Sequence, residues 1–418
     1  MSKTAIFNPL SMPTYVMAKP IGSLCNLNCS YCYYLEKENL YKEGGRNLRM
    51  SDEVLEKYIE SYIQAQPVPQ VLFTWHGGET LMRDKQFYYK ALAYQKKYGR
   101  GRQIDNSLQT NGTLLTDDWC KFFKDNNFLI GISLDGPEHC HDVYRKSKSG
   151  KGTFKEVMRG VELLQKHNVE FNILAVINNY NVDYPLEVYN FFKEIGAHYM
   201  QFSPIVERMH VNDVPSGLKL MGPEEKDEYV IAPWTVDARK FGQFYIDIFD
   251  EWVINDVGQY YVQIFDATLA NTVGEQPGSC IYAKKCGHAS VMEFNGDLYA
   301  CDHYVFPEYK LGNIRHKTIF EMMFSEEQLR FGSDKRDKLP SQCLQCEFLD
   351  LCNGECPKNR ILTTSIGEPG LNWLCAGFKM YYRHTKPYME FMANELFFKR
   401  PPANVMAWAR SRKLRKIN

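Results

Sequence analysis

The sequence predicts an α/β protein in which six strand–helix repeats form a parallel sheet, followed by a small cysteine-rich α+β domain. Two observations support this fold class. Six apolar runs recur between residues 14 and 205, separated by helical stretches with one apolar face, and cysteines become dense after residue 280 as the regular alternation fades. Alternating strands and helices favour parallel pairing with right-handed crossovers. The sheet is then either open and doubly wound or a partial barrel.

The six predicted strands are short apolar runs bounded by polar or glycine-containing turns. They are YVMAKPIGS, VLFTW (71–75), IDNSLQT (104–110), FLIGISLD (128–135), FNILAVIN (171–178) and YMQFSPI (199–205). In both possible sheet types, the functional site lies at the carboxyl ends of the strands.

The helix SDEVLEKYIESYI is the clearest of the helical stretches, because Ser51 is a capping residue and acidic side chains follow in the first turn. Its apolar residues form one stripe. The same pattern predicts helices in TDDWCKFFKDNN, FKEVMRGVELLQKHN and PLEVYNFFKEIG.

We expect four segments along the chain. Residues 1–205 form the strand–helix domain, and residues 206–279 form a bridging segment that contains the aromatic helix FGQFYIDIFDEWV. Residues 280–385 form the cysteine-rich domain, and residues 386–418 form a C-terminal helix with a basic tail, which we interpret as solvated and frayed.

Composition excludes several classes of function. The 418 residues contain 50 Lys+Arg and 50 Asp+Glu, so no basic excess predicts a nucleic-acid or membrane surface. The first twenty residues do not resemble a signal peptide, and no apolar run is long enough to span a membrane. We therefore expect a cytoplasmic protein. In that reducing compartment, the 13 cysteines predict metal or cluster ligands rather than disulfides.

Three cysteines directly after the first strand, Cys25, Cys29 and Cys32, form the compact motif CNLNCSYC. Three thiolates can hold three irons of a cubane cluster and leave the fourth iron open for another ligand. Open sites perform chemistry, whereas closed sites are structural. Two alternatives remain, a zinc site with a distant fourth ligand and three unrelated buried cysteines.

Polar turns follow the next strands. HGGET follows the second strand, where Gly77 and Gly78 allow close approach of the backbone to a ligand and Glu79 can accept from an ammonium group. QTNG and SLDG end the third and fourth strands, and ordinary turn chemistry would also explain both motifs.

Eight further cysteines lie near the C-terminus, with the core spacing Cys343-x2-Cys346-x5-Cys352-x3-Cys356. Eight cysteines fill two cubane clusters and leave no open iron, which indicates electron transfer, although structural zinc is an alternative. The two remaining cysteines are predicted to be structural. Cys120 would pack as a small hydrophobic side chain, and we expect Cys140 in a plain loop.

The first cysteine motif, with an aromatic residue before its last cysteine, resembles the signature of the radical S-adenosylmethionine (SAM) enzymes. The resemblance implies a partial (β/α)6 barrel in which the open iron chelates the methionine part of SAM. It implies that GGE contacts the amino group and that Ser133 and Arg145 bind the carboxylate. The implied SAM-binding residues are Tyr31, Gly77, Gly78, Glu79, Gln109, Asn111, Ser133, Arg145 and Met200.

The C-terminal cysteines, with the stretch CGHASVMEFNGDLYAC, resemble the SPASM domain of peptide-modifying radical SAM enzymes. This resemblance implies two interleaved auxiliary iron–sulfur clusters, and therefore three [4Fe-4S] clusters in all. One auxiliary cluster would be held by Cys280, Cys286, Cys301 and Cys356, and the other by Cys343, Cys346, Cys352 and Cys375.

Motifs along nearly the whole chain resemble the anaerobic sulfatase-maturating enzymes, particularly those of the Bacteroides type. They are CNLNCSYCYYLEK, FTWHGGETLM, SLQTNGTLLTDDW, GISLDGP, VEFNILAV, MEFNGDLYACDHYVFPEYKLGNI and CNGECPKNR. The resemblance implies oxidation of a cysteine or serine in a sulfatase motif, Cys/Ser-x-Pro-x-Arg, to Cα-formylglycine. It implies that Asp302 is the general base and that Tyr34 lies near the substrate. It also implies a low-potential electron donor such as flavodoxin or ferredoxin.

One departure from the family pattern and two alternative functions remain. His76 precedes GGE where other family members carry glutamine. A peptide cyclase or thioether-forming enzyme would also carry a SPASM domain. Only 24 residues precede Cys25, which we interpret as too few for the leader-binding domain of many such enzymes. A non-catalytic iron–sulfur electron carrier would gain nothing from an open iron.

Overall fold

Six parallel strands, labelled β1 to β6 in chain order, form the centre of the computed structural model, which describes residues 13–44, 48–214 and 216–417. The strands are Tyr15–Ala18, Gln70–Trp75, Gln103–Thr110, Phe128–Ser133, Phe171–Ile177 and Tyr199–Pro204. They lie side by side in chain order, and each neighbouring pair is parallel. This order confirms the parallel sheet and identifies it as a partial barrel, because a doubly wound sheet would reverse its order at a switch point.

Helices connect these strands, as predicted. Helices α1 to α6 are Asp52–Gln64, Lys85–Gly99, Asp117–Asp125, Glu138–Tyr144, Phe154–Lys166 and Pro185–Glu194. Helix α1 begins at its predicted cap, where the Ser51 side chain accepts from the Val54 amide at 3.3 Å. One face of α1 is buried against the sheet, which is the arrangement that its apolar stripe predicts.

The plain loop expected around Cys140 is wrong, because the residue lies in α4, the short helix that starts after Pro137. The Cys140 side chain is buried and packs beneath Gly136. The adjacent His139 is exposed and pairs with Glu187 through Nε2, and its Nδ1 lies 3.6 Å from the Cys140 sulfur.

The segment after β6 contains a short antiparallel strand pair and two helices. Strands β7 and β8 are Arg208–His210 and Tyr229–Ile231, and helix α7 is Ala238–Asn255. Strand β9, Tyr261–Val262, joins the main sheet beside β6 and leads into helix α8, Gln263–Val273.

The cysteine-rich region continues the main sheet rather than standing apart from it. Its strands β10 to β14 are Ala289–Met292, Asp297–Tyr299, Lys310–Asn313, Leu362–Thr363 and Pro369–Leu371. Strand β10 pairs in parallel with β1, and β11 and β12 extend the same sheet in antiparallel fashion. The chain that follows β11 therefore lies beside the first strand of the barrel.

Helices lie between β12 and β13 and after β14 in the chain. Helices α9 to α14 are Ile319–Met323, Glu326–Asp337, Ser341–Leu344, Leu349–Cys352, Cys375–Phe397 and Val405–Ile417. Helix α13 packs along α7 through aromatic contacts such as Phe378 against Phe241. The basic run at the C-terminus, expected to be frayed, continues α14 as far as Ile417.

Most buried apolar side chains belong to one hydrophobic core that joins the barrel to the C-terminal helices. Cys120 is part of this core, as predicted, with no exposed surface. Among the described residues, no helix is both long enough and apolar enough to cross a membrane. Most of the N-terminal stretch interpreted for targeting lies outside the described residues.

Candidate active site

The three cysteines of the first motif lie together on the loop after β1. The Cys25 thiol lies close enough to Cys29 and Cys32 to interact electrostatically with both, and Cys29 interacts with Cys32 in the same way. Burial raises the pKa of Cys25 to about 12 and that of Cys29 to about 11. Thiols in such surroundings ionise on binding a metal, which supplies the opposing positive charge. The loop thus brings together the three donors that a cluster with an open position would need.

The turn that contains Gly77 and Gly78, after β2, is hydrogen-bonded to the start of this loop. The Gly78 amide donates to the Gly22 carbonyl at 2.7 Å, and the Glu79 amide donates to the Leu24 carbonyl at 2.8 Å. A Cβ atom at Gly78 would lie 2.0 Å from the Leu24 carbonyl oxygen, and Gly77 has φ +144°. Both positions therefore require glycine for the turn to approach the cysteine loop.

Glu79 is almost completely buried, and its carboxylate already accepts three hydrogen bonds. These come from the Thr110 hydroxyl at 2.7 Å, the Leu81 amide at 3.0 Å and the Asn111 amide at 2.8 Å. Burial nevertheless raises the pKa of Glu79. The carboxylate thus fixes the ends of β2 and β3 together, in addition to the SAM contact that the motif predicts.

The ends of β3 and β4 bring three more predicted residues together. The Gln109 amide donates to the Ser133 hydroxyl at 2.9 Å, across a position where Gly131 leaves room for the Gln109 side chain. Asn111 reaches the cysteine loop, where its Nδ2 lies 3.8 Å from the Cys25 sulfur. These side chains therefore share one edge of the barrel with the cysteine motif.

Tyr31 and Arg145 meet at Asp135, a buried residue that sequence reasoning did not single out. The Tyr31 hydroxyl donates to Asp135 Oδ2 at 2.6 Å, and Arg145 Nη2 donates to Oδ1 at 3.0 Å. The charge of Arg145 also acts on Cys29. Arg145 Nε is buried and has no hydrogen-bond partner among the described residues. A buried guanidinium N–H of this kind fits a carboxylate ligand.

Met200 and Tyr34 are both buried. Met200 is buried in the main hydrophobic core. The Tyr34 hydroxyl donates to both carboxylate oxygens of Glu293, at 2.6 and 2.8 Å, and Lys19 Nζ lies 3.3 Å from the centre of its ring. Tyr34 thus joins the cysteine loop to the end of β10, and its predicted role near the substrate rests on the family resemblance.

Asp302 lies beside β1 because β10 pairs with that strand. Its Oδ1 forms an ion pair with Lys19, which has no exposed surface, and its Oδ2 accepts from the Tyr33 hydroxyl at 2.5 Å. Burial alone would raise the pKa of Asp302, but the positive charge of Lys19 holds it well below its usual range. The carboxylate is therefore ionised near neutral pH.

Sequence reasoning missed Lys19 and Tyr33. A lysine within the apolar run YVMAKPIGS was the one available signal for Lys19, since a buried lysine requires a partner. Nothing in the sequence distinguished Tyr33 from Tyr34, which follows it.

The first group of C-terminal cysteines, Cys280, Cys286, Cys301 and Cys356, is brought together as the resemblance implies. The Cys301 thiol interacts electrostatically with Cys280 and Cys356, and the Cys356 thiol interacts with Cys280 and Cys286, so the four thiols lie close together. The buried Lys335 donates to the carbonyls of Cys280 and Ile281 at 2.6 and 2.7 Å. Its ammonium lies near enough to oppose the charge of ionised thiols in this group.

The second group lines one small cavity with Phe348 and Phe378. Its members are Cys343, Cys346, Cys352 and Cys375. Three consecutive residues between Cys352 and Cys356 have left-handed backbones, with φ of 49°, 70° and 49° at Asn353, Gly354 and Glu355. This rare run turns the chain, so that Cys352 joins the second group while Cys356 joins the first.

The thiol arrangement fits three clusters, one with an open position and two that are closed. Three thiols stand together on the first loop, four in each C-terminal group, and the remaining Cys120 and Cys140 are buried elsewhere. The fold and these sites define a radical SAM enzyme that carries a SPASM domain.

Sequence comparisons agree with this class. Residues 20–192 match the radical SAM superfamily, and residues 285–347 match SPASM, an iron–sulfur cluster-binding domain. The chain is 57% identical over 404 residues to a serine-type anaerobic sulfatase-maturating enzyme of Bacteroides thetaiotaomicron, covering 97% of both chains. It is 31% identical to a cysteine-type anaerobic sulfatase-maturating enzyme of Clostridium novyi, covering 92% of this chain and 98% of the relative.

The fold is also similar to that of a solved structure described as native anSMEcpe with bound AdoMet and Cp18Cys peptide. The TM-score is 0.78 at 30% identity, covering 91% of this chain and 99% of that chain. The chain belongs to the anaerobic sulfatase-maturating enzymes.

Proposed function

We propose that this protein oxidises the target residue of a sulfatase motif, Ser/Cys-x-Pro-x-Arg, to Cα-formylglycine. The observation that carries the proposal is the 57% identity, over nearly the full length of both chains, to an enzyme named for sulfatase maturation. Because that relative is described as serine-type, we propose serine as the preferred target. We further propose that the protein works in the cytoplasm with a low-potential donor such as flavodoxin or ferredoxin.

The cysteine positions support a complement of three [4Fe-4S] clusters. Cys25, Cys29 and Cys32 would hold the cluster with an open position, and each C-terminal group would hold one closed cluster. When bound, SAM and the clusters supply the adenosyl radical that removes hydrogen from the target Cβ, and they supply the acceptor for the second electron. The division into a barrel (1–205), a bridging segment, a SPASM domain (280–385) and a C-terminal helix belongs to the same proposal.

The barrel edge would supply contacts for the methionine part of SAM. Arg145 would bind the carboxylate through its buried Nε, which has no hydrogen-bond partner among the described residues. Ser133 would bind the same carboxylate, and the Asn111 side chain would also contact the cofactor. The Gly77–Gly78–Glu79 turn would receive the amino group, with the Glu79 charge favouring an ammonium there. Gln109 positions Ser133, and Tyr31 positions Arg145 through Asp135. Met200 would contact the cofactor from within the sheet.

Asp302 would accept the proton that the target hydroxyl loses. Oxidation of a serine carbon to an aldehyde removes two hydrogens, one from Cβ and one from oxygen. Lys19 keeps the Asp302 carboxylate ionised, and Tyr33 holds its second oxygen. A carboxylate with a lowered pKa is a weak base, but a hydroxyl on a carbon radical is more acidic than an ordinary alcohol. The proton transfer therefore accompanies loss of the second electron.

The asparagine variant of Asp302 separates peptide oxidation from SAM cleavage. Asp302→Asn keeps the shape of the side chain and removes its charge. We expect deoxyadenosine formation to continue while formylglycine formation falls by about 100-fold or more, the usual contribution of a general base. Asp183→Asn, at an exposed ion pair with Lys240, is the matched control and should keep both activities. Full formylglycine formation in Asp302→Asn would remove that residue from the mechanism.

The two alternative functions would give different results when SAM cleavage and peptide oxidation are measured together. A crosslinking or thioether-forming enzyme would consume SAM and change the peptide without producing an aldehyde. An electron carrier would not consume SAM at all.

A further inference from the structure

His76 lies at the barrel edge, directly before the Gly77–Gly78–Glu79 turn. It directly follows β2, and its amide donates to the Ala18 carbonyl at 2.9 Å. Its side chain is only partly buried. The charges of both Lys19 and Asp302 act on the ring, so His76 lies near the proposed base.

The hydrogen bonds of His76 fix which ring nitrogen carries the proton. The Gly77 amide donates to His76 Nδ1 at 2.8 Å, so Nδ1 is an acceptor. In a neutral imidazole the other nitrogen, Nε2, is then the donor. Among the described residues, no group accepts a hydrogen bond from Nε2. Within the described part of the chain, the ring therefore keeps one N–H donor without a partner, and it lies close enough to Asp302 for the two side chains to interact electrostatically.

The ring stays neutral in this position. Burial and the nearby ammonium of Lys19 lower the pKa of His76 to about 4, although the Asp302 carboxylate opposes this shift. Near neutral pH the side chain is thus a hydrogen-bond donor without a net charge.

We propose that His76 donates a hydrogen bond from Nε2 to the side-chain oxygen of the target serine and thereby favours serine over cysteine. The inference rests on the proposed function. A serine hydroxyl can donate to Asp302 and accept from His76 at the same time, because it carries one proton and two lone pairs. A thiol is a weak acceptor, so a cysteine target gains much less from the same N–H.

The test compares two variants on matched peptides. His76→Leu removes the donor, and His76→Gln restores an N–H donor and an acceptor for the Gly77 amide. Three peptides differ only at the target position, which is serine, cysteine or alanine. The reconstituted enzymes are compared by kcat/KM for the serine and cysteine peptides, and by the dissociation constant of the unreactive alanine peptide.

We expect His76→Leu to lower the serine-to-cysteine ratio of kcat/KM by about tenfold, the value of one lost hydrogen bond. His76→Gln should recover most of that ratio. Binding of the alanine peptide should be equal in all three proteins, since it lacks the oxygen, and equal binding also shows that the variants fold. An unchanged ratio in His76→Leu would overturn the inference alone. A wild-type enzyme that converts neither peptide would overturn the proposed function and the inference together.

Discussion

Replacement of Lys19 by methionine tests the ion pair that positions and ionises Asp302. Lys19 has no exposed surface, and its ammonium lies between the Asp302 carboxylate and the ring of Tyr34. Methionine keeps the length and apolar volume of the side chain but removes the charge. The variant leaves a mostly buried carboxylate without its cation.

Removing one partner of a buried ion pair costs about 3–5 kcal/mol. Protonation limits this cost, since neutralising an aspartate with an ordinary pKa at pH 7 requires about 4 kcal/mol. The Asp302 side chain retains 21% exposure, which favours the lower end of the range. We therefore expect Lys19→Met to lose about 3 kcal/mol of stability.

Thermal unfolding of the cluster-loaded protein measures this loss as a clear decrease of Tm. Lys240→Met, at an exposed ion pair with Asp183, is the matched control and should change stability by less than about 0.5 kcal/mol. The double variant Lys19→Met/Asp302→Asn should be more stable than the sum of the single changes predicts, because it contains no unpaired charge. Peptide oxidation should fall in Lys19→Met while deoxyadenosine is still produced. Equal Tm values for Lys19→Met and Lys240→Met would show that the Lys19–Asp302 ion pair does not stabilise the fold.

Three further predictions follow from the cysteine groups and from buried charged residues. Cys375→Ser should lower the iron content by about four per chain, one cubane, whereas Cys120→Ser should leave it unchanged; equal iron loss in both would contradict the ligand assignment. Arg145→Lys should weaken SAM binding by about tenfold in equilibrium binding, because lysine lacks the planar guanidinium that binds a carboxylate; unchanged affinity would exclude the contact. Burial raises the pKa of Glu293 from 4.5 to about 7, so the folded state binds more protons than the unfolded state in that range. The stability of the wild type should then fall relative to Glu293→Gln as the pH rises from about 4.5 to 7, and parallel Tm profiles would contradict this sign.

Local patterns in the sequence predicted much of the fold and the ligand groups. The six strands follow from short apolar runs, and the start of α1 follows from Ser51, because both signals lie within a few residues. Spacing alone did not divide the C-terminal cysteines into two groups. The family resemblance supplied that division, and the left-handed run at residues 353–355 gives its structural cause.

Contacts between distant segments were not predictable in the same way. Asp302 meets Lys19 only because β10 pairs with β1, and a pairing of residues 15–18 with residues 289–292 leaves no local pattern. Tyr33 and Tyr34 are adjacent, yet one bonds to Asp302 and the other to Glu293. The direction of each ring depends on the fold of the loop, so sequence alone could not identify Tyr33 as the partner of the proposed base.

The most direct test of the account is the mass of a peptide after anaerobic reaction. The protein is reconstituted with iron and sulfide, its iron is counted, and it is mixed with SAM, a reductant and a Ser-x-Pro-x-Arg peptide. We expect about twelve irons per chain, deoxyadenosine, and a peptide about 2 Da lighter, or about 18 Da lighter for the cysteine version, as conversion to an aldehyde requires. Twelve irons and deoxyadenosine with peptides of unchanged mass would contradict the assignment to sulfatase maturation.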